Sequence, residues 1–445
     1  MLATEAPEPE RRRDRRRRDP SSVAIIGPTR CGKTAAAITG ILEWSGPAIL
    51  SSVKADLMGA TIERRRTLGD VRVFDPTRAT SHRTHGWSPL RGAATISGAQ
   101  QATRALVDAG PRGGVESLDF FLRLAEQLLW PHLYIAATHG RTMHDVVRWI
   151  HSQTSPSDEM TDLADLFRTG LHAPDLDGGT RDAHQTLAGI WQLDRRTRAS
   201  AYATAQTLLG AWTDPGVAAA SELDELDLDW LTSGVNTLYI CAPLHHQQRL
   251  AEVFGGLLGD FVNQAYERFT HTNQPLPPTL LVLDEAANTP TRWLPQVAST
   301  CAGIGLLLVT IWQSKAQLDA AYGRLADSVL TNHATKIIFS GVSDLPTLEY
   351  ASRLIGDEDV VRHSQSVGDH ERHRTRSFTP QAMPLMPGHV LRQARRGTAL
   401  LVHGTLPPAQ LTTIPYYRQR RIRRRGVPPG VPVAVPGTGG HAQWA

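Results

Sequence analysis

Lysine is almost missing from this chain of 445 residues: Lys33, Lys54, Lys315 and Lys336 are the only four, against forty-three arginines. Cysteine is scarce as well. Cys31, Cys241 and Cys301 lie far apart without metal-ligand spacing, which excludes a disulfide scaffold and fits a reducing compartment. No apolar run approaches the ~18 residues that a membrane helix requires. The arginine-rich start lacks the apolar stretch of a secretory signal. Hydrophobic residues at 41% and charged residues at 20% exclude a disordered chain. The length fits one large domain with an insertion, or two domains.

Basic charge is also missing from most of the chain, although the formal total is +4. Residues 11–18 hold seven arginines and one aspartate, and residues 418–425 hold six arginines. Without those two clusters the remainder sums to about −8. Such clusters bind nucleic acid or anionic lipid headgroups by counterion release, or are simply solvated tails.

What is present is a phosphate loop. Gly27-Pro28-Thr29-Arg30-Cys31-Gly32-Lys33-Thr34 completes the G-x-x-x-x-G-K-[ST] pattern and follows the apolar run Val23–Ile26. A strand feeding such a loop at a helix start cradles phosphates with backbone N–H groups. Lys33 is suited to bridge the β- and γ-phosphates, and the Thr34 hydroxyl to bind Mg²⁺. A compact ammonium at that point cannot be replaced by a planar guanidinium, which accounts for a lysine in a chain that otherwise avoids them. A second apolar strand, Thr279–Leu283, runs into Asp284 and Glu285. Asp284 is suited to hold the metal through water, and Glu285 to polarise the water that attacks the γ-phosphate. The two motifs together predict binding of a nucleoside triphosphate.

Further runs read as strands: Ala48–Leu50, Val71–Phe74, Thr237–Ala242, Gly305–Ile311, Thr335–Phe339 and Ala399–His403. Strands alternating with helical stretches predict an α/β fold with a mostly parallel sheet. From about Ala93 to Asp214 the periodicity is helical throughout, for example over Phe120–Leu129, Thr142–Ile150 and Tyr202–Trp212. The expected organisation is a basic disordered arm over 1–20 and a nucleotide-binding part over 21–92. An all-α insertion over 93–220 follows, then the second nucleotide-binding part over 221–417. Residues 418–445 are expected to form a basic, then Pro/Gly-rich disordered tail.

After the strand at 305–311 comes Trp312-Gln313-Ser314-Lys315-Ala316-Gln317-Leu318. Gln313 at that strand end is placed to reach a γ-phosphate and sense hydrolysis, although taken alone it reads as an ordinary polar cap. With the phosphate loop, Asp284–Pro290, Gln313–Leu318, Ala321–Arg324, Leu330–Gly341, Ser343–Tyr350, Leu354–Gly356 and Ala399–Pro408, the chain resembles the TraG/TraD-type coupling proteins of conjugation and type IV secretion. These are relatives of the FtsK and HerA translocases, and the resemblance covers roughly residues 22–417.

The resemblance implies a RecA-like P-loop nucleotide-binding domain carrying an all-α domain, assembled as a homo-hexameric ring with ATP sites between neighbours. It implies ATP and Mg²⁺ as cofactors, DNA and a relaxase as cargo, and a type IV secretion channel as destination. Lys33 and Thr34 take the phosphate and metal roles, Asp284 the metal role, Glu285 the catalytic base and Gln313 the sensor. A family arginine that acts in trans on the neighbour's phosphate aligns with Ala302 here, leaving Arg324 and Arg292 as candidates by position. Family members usually begin with membrane-spanning helices, whereas here the phosphate loop starts close to Met1. Either the anchor lies in a separate protein, or the Arg11–Arg18 arm substitutes by binding anionic lipid, or the gene start is shortened. The arm is expected to contribute to membrane or DNA contact, with the protein at the inner face of the cell membrane. Two other readings stay open: an ATP-binding docking receptor with negligible turnover, and a translocase acting on chromosomal DNA.

Smaller features read as ordinary. Cys31 is a small residue tolerated in the loop. His245, His246, His363, His370 and His373 fit no common metal spacing. Trp130, Trp149, Trp191 and Trp212 fall at helical positions and are expected in a core rather than stacked on bases.

Overall fold

The computed structural model describes residues 21–52, 55–110, 116–158, 160–172, 178–241, 249–288, 291–367, 374–422 and 424–426. The basic arm, Lys54, Thr289, Pro290, His245, His246, His370, His373 and the end of the tail lie outside the described residues.

Eleven described strands run as β1 (Val23–Ile26), β2 (Ala48–Ser52), β3 (Val71–Phe74), β4 (Thr237–Cys241), β5 (Thr279–Leu283), β6 (Leu306–Trp312), β7 (Thr335–Phe339), β8 (Asp357–Val367), β9 (Arg374–Pro384), β10 (Thr398–His403) and β11 (Ala409–Thr412). Nine of them form one sheet in the order β11-β10-β7-β1-β6-β5-β2-β4-β3. Pairs from β7 through β3 are parallel, while β10 is antiparallel to β7 and β11 to β10. The central strands are buried on both faces, which is why their sequences are mostly apolar. Alternate residues feed separate apolar clusters: Ala24 and Ile26 join one, Ile25 the other. This is the α/β, mostly parallel architecture expected from strands alternating with helical stretches.

The first cluster continues into helices. Between β3 and β4 the described chain contains helices and turns only, beginning with Ile96–Ala109 and Glu116–Thr138 and ending with Leu228–Thr232. Their starts carry the side chains that satisfy free N–H groups: Asp194 accepts from the N–H groups of Arg196 and Thr197, and Asp227 from that of Trp230. Trp149, Trp212 and Trp130 are buried among these helices and Trp191 packs against them, as their spacing predicted. The helix Ala251–Thr272 joins this region to the sheet. Its Gly255 lies so close to Ile96–Ala109 that an added Cβ would come within 2.4 Å of the Ala109 Cβ.

Three differences from the sequence reading concern the last third. Strand β11 adds an edge to the sheet beyond the strands anticipated. Residues 357–367 and 374–384, assigned no strand above, form the antiparallel ribbon β8–β9 outside the main sheet. The chain leaves the sheet after β7 for this ribbon and returns as β10, with Ala399 paired to Phe339. Past residue 417, Ile422 is 2% exposed and belongs to the second apolar cluster with Leu42 and Tyr416. The arginine run around it therefore contains a packed residue rather than only solvated charge.

Candidate functional site

The phosphate loop leaves β1 at the end of the sheet where β5 and β6 also finish. Register pairs Ile26 with Trp312 and Leu283 with Thr310, so Gly27, Gln313 and Asp284 depart from the same edge. Such strand ends form the ligand-binding crevice of parallel sheets. Strand β6 lies between the phosphate-loop strand and the carboxylate strand. Gln313 is thereby placed between the loop and the acidic pair, an arrangement that linear spacing does not reveal.

Helix Lys33–Glu43 starts at Gly32, whose φ of 114° lies in a region that L side chains avoid. Gly27 answers to a different demand. A Cβ there would lie 2.7 Å from the Cβ of Phe339 and 2.8 Å from the Cys31 sulfur. The Gly27 N–H donates to the Trp312 carbonyl at 3.1 Å, which ties the loop to the residue before Gln313. Pro28 is partly exposed, and Thr29 and Arg30 form the exposed crest of the loop. Lys33 is buried, and its Nζ donates to the carbonyls of Gly27 and Pro28 at 2.5 and 2.8 Å. The ammonium is thus folded over the loop mouth on hydrogen bonds within the loop itself. Thr34 is the second residue of the helix and partly exposed. Cys31 is buried, and that burial pushes its thiol pKa up against the opposing pull of Lys33 and Arg396. Burial thus disfavours the reactive thiolate, in keeping with a small residue packed in the loop.

Strand β5 ends at Leu283, so both carboxylates stand on the following turn rather than within the strand. Asp284 is 7% exposed and accepts from the Ser52 hydroxyl at 3.0 Å, while its N–H donates to the Ser51 carbonyl at 2.9 Å. Ser52, at the end of β2, was not singled out by sequence. The available signal was a hydroxyl closing a buried strand. Glu285 takes a left-handed backbone with φ 55°, an uncommon conformation for a non-glycine residue. The Gln313 amide donates to Glu285 Oε2 at 2.9 Å, and the Gln313 N–H donates to the Gln317 side chain at 3.0 Å. The proposed sensor and base are therefore in direct contact.

Behind Gln313, the Trp312 indole donates to the Thr310 hydroxyl at 2.9 Å, which pairs with His333 Nε2 at 3.1 Å. Burial pushes the His333 pKa down to about 4, so this imidazole is neutral at neutral pH. Lys315 pairs with Asp319 and Asp327, and the Lys336 ammonium donates to the His333 carbonyl. Neither lysine joins the loop. Ala302 is exposed on a short 3₁₀ turn, as is Arg324 on another. Arg292 faces the helical region, with its side chain 3.3 Å from Asp119 and its N–H on the Asp108 carbonyl. Among the described residues no group of three or more His, Cys, Asp or Glu could hold a metal by itself. No helix among them is long and apolar enough to cross a membrane.

The fold is shared with known structures. The bacterial conjugative coupling protein TrwBdeltaN70 in its unbound monoclinic form superposes with a TM-score of 0.64 at 17% identity, covering 91% of this chain and 88% of that one. The plasmid coupling protein TrwB in complex with ADP and Mg²⁺ gives 0.64 at 18%, over the same shares. Among sequence relatives, the conjugal transfer protein TraG of Agrobacterium fabrum strain C58 is 24% identical over 399 residues, 87% of this chain and 58% of the relative. TraG of Rhizobium radiobacter is likewise 24% identical, covering 60% of that protein. This chain spans about three fifths of the length of these relatives. The family model for conjugative DNA transfer in the type IV secretory system matches residues 3–434. By that match the chain belongs to the type IV secretory system conjugative DNA transfer family.

Proposed function

We propose that this protein is a Mg²⁺–ATP-dependent coupling protein that recruits relaxase-bound DNA and drives it toward a type IV secretion channel. The observation that carries the reading is the convergence of the Lys33 loop, the Ser52-held Asp284 and the Gln313–Glu285 pair at one edge of a parallel sheet. Family membership and the nucleotide complexes of TrwB support ATP as the nucleotide.

The residues fit the phosphates of such a nucleotide. A loop with no room for a Cβ at Gly27, a helix N-terminus at Gly32 and a buried ammonium make an anion cradle. On nucleotide binding Lys33 exchanges its two carbonyl acceptors for phosphate oxygens, while loop N–H groups take the rest of the charge. Thr34 and Asp284 would hold the metal, whose charge screens the phosphate oxygens. Glu285 orients the attacking water and takes its proton. Gln313 holds the Glu285 carboxylate in place and loses or gains that contact as the γ-phosphate comes and goes.

In this reading the active form is a ring of six with the trans-acting arginine supplied by a neighbour, Arg324 being the exposed candidate. Arg292 is tied to the helical region and is the poorer one. Residues 21–92 and 221–417 are taken as the motor and 93–220 as the inserted all-α domain. The basic arm of residues 11–18 contributes membrane or DNA contact. A docking receptor with negligible turnover remains the second reading, favoured by Ala302 at the position where the family carries an arginine. ATP hydrolysis with and without single- and double-stranded DNA, measured alongside particle size, separates the two. The motor reading requires DNA-stimulated turnover in the oligomeric fraction; negligible turnover there, unmoved by DNA and by Glu285→Gln, would leave the receptor reading.

A further inference from the structure

One polar contact reaches the phosphate loop from the far end of the chain. The Arg396 guanidinium donates through Nε and Nη2 to the backbone carbonyl of Arg30, at 3.2 and 2.8 Å. Arg30 is the loop residue held at φ 60°, a left-handed conformation that a non-glycine residue adopts at a cost. In a trans peptide the carbonyl and the next N–H point in opposite directions. Fastening the Arg30 carbonyl to Arg396 therefore also fixes the direction of the Cys31 N–H, turning it away from Arg396.

The support behind Arg396 is itself rigid. The Arg395 carbonyl accepts from the Thr398 N–H at 3.0 Å, the Thr398 hydroxyl at 2.7 Å and the Ser340 hydroxyl at 3.0 Å. The Gly397 carbonyl accepts from both the N–H and the hydroxyl of Thr413 at 2.7 Å. Arg396 thus stands on a turn pinned to the end of β7 on one side and to the chain after β11 on the other. Both strands belong to the sheet that carries the loop.

We propose that Arg396 is a positioning residue for nucleotide binding: it holds the phosphate loop in its anion-accepting form by anchoring the Arg30 carbonyl, and links the β10–β11 edge to the nucleotide site. The inference rests on the nucleotide reading above. It acts through the Arg30–Cys31 peptide, so a neutral donor at position 396 should serve nearly as well as the guanidinium.

The test uses the full chain with Arg396→Ala, Arg396→Gln and Arg396→Lys. Arg396 is exposed, and thermal melting checks that each variant folds. Amide hydrogen exchange in nucleotide-free protein is read over residues 29–33, and affinity by titration with a fluorescent ADP analogue and Mg²⁺. For Arg396→Ala, loop exchange accelerates and affinity weakens about tenfold, the scale of losing one hydrogen bond with a charged partner. Arg396→Gln keeps affinity within about threefold of the native protein, because its amide still donates to a neutral carbonyl. Unchanged exchange and affinity in Arg396→Ala would overturn the inference. So would a Gln variant as weak as Ala beside a native-like Lys variant, since that pattern means direct attraction of charge to the phosphates. If the native protein binds no nucleotide, the functional reading itself fails, and the exchange measurement still reports on the Arg396 contact.

Discussion

The nucleotide end of the sheet and the helical region between β3 and β4 solve opposite problems with the same chain. At the sheet end, polar groups converge within hydrogen-bond reach and the backbone is forced: Arg30 and Glu285 have positive φ, and Gly27 has no room for a side chain. In the helical region, Trp149, Tyr202 and Leu133 are fully buried in an apolar cluster, and helix starts are capped by aspartates. The pair of buried histidines makes the contrast concrete. Burial pushes both His132 and His333 down to about 4. His333 shares Nε2 with the Thr310 hydroxyl behind Gln313, whereas Nε2 of His132 has no hydrogen-bond partner among the described residues. One region gathers polar groups at the strand ends, and the other mostly excludes them from an apolar core.

That comparison can be broken by experiment. The largest effect is expected for Glu285→Gln, which should lower the ATP turnover rate about 10²–10⁴-fold, the range for loss of a general base, while nucleotide still binds. Rapid-quench and equilibrium binding measurements on the same sample read both; a variant that also stops binding would mean Glu285 supports the fold of the site rather than the chemistry. Trp149→Ala should cost about 3–5 kcal/mol of stability in urea unfolding and leave nucleotide affinity per folded molecule intact. A large loss of affinity in the folded fraction would show that the two regions are not separable.

Gly27→Ala crosses the boundary between them. The added methyl must displace Phe339 or Cys31, so about 1–3 kcal/mol of stability is lost together with nucleotide affinity. Tight binding in that variant would contradict the close approach. The smallest effects concern pH. A histidine with an ordinary value near 6.5 and a folded value near 4 binds its proton in the unfolded chain first. Stability should therefore fall as pH drops from about 6.5 toward 4. His132→Phe should blunt that slope at little cost, whereas His333→Phe should blunt it while loosening the Thr310–Trp312 network. Urea midpoints across pH 4–7 test this, and an unchanged slope in both variants would remove the histidines from the account.

How much of this was legible depended on whether the signal was local. Val23–Ile26 and Gly305–Ile311 could be read as strands because burial on both faces demands mostly apolar runs, and the structure places them at Val23–Ile26 and Leu306–Trp312. The phosphate loop, the acidic pair and Gln313 could be read because each is a short pattern at a strand end. The ribbon β8–β9 could not: Asp357-Glu358-Asp359 and Ser364-Gln365-Ser366 carry no apolar alternation, and the two strands form a sheet of their own rather than joining the nine-stranded one. Ser52 beside Asp284, Phe339 beneath Gly27 and Arg396 on Arg30 are contacts between residues far apart in the chain. No local pattern encodes them. Ile422 was hidden for another reason, being a lone apolar residue in a run of arginines that composition alone reads as solvated.

The return of the chain from the ribbon has a bearing on how this fold varies. Phe339 and Ala399 stand opposite one another in β7 and β10, so the excursion between them begins and ends at neighbouring points of one sheet. Residues added to or removed from the outer ribbon are therefore expected to leave strand register and the loop at the phosphate end unaltered. Changes of length there are absorbed locally, as in an insertion tolerated at a surface hairpin. The fold thus gives this chain a segment set apart from the strand ends that carry the phosphate loop.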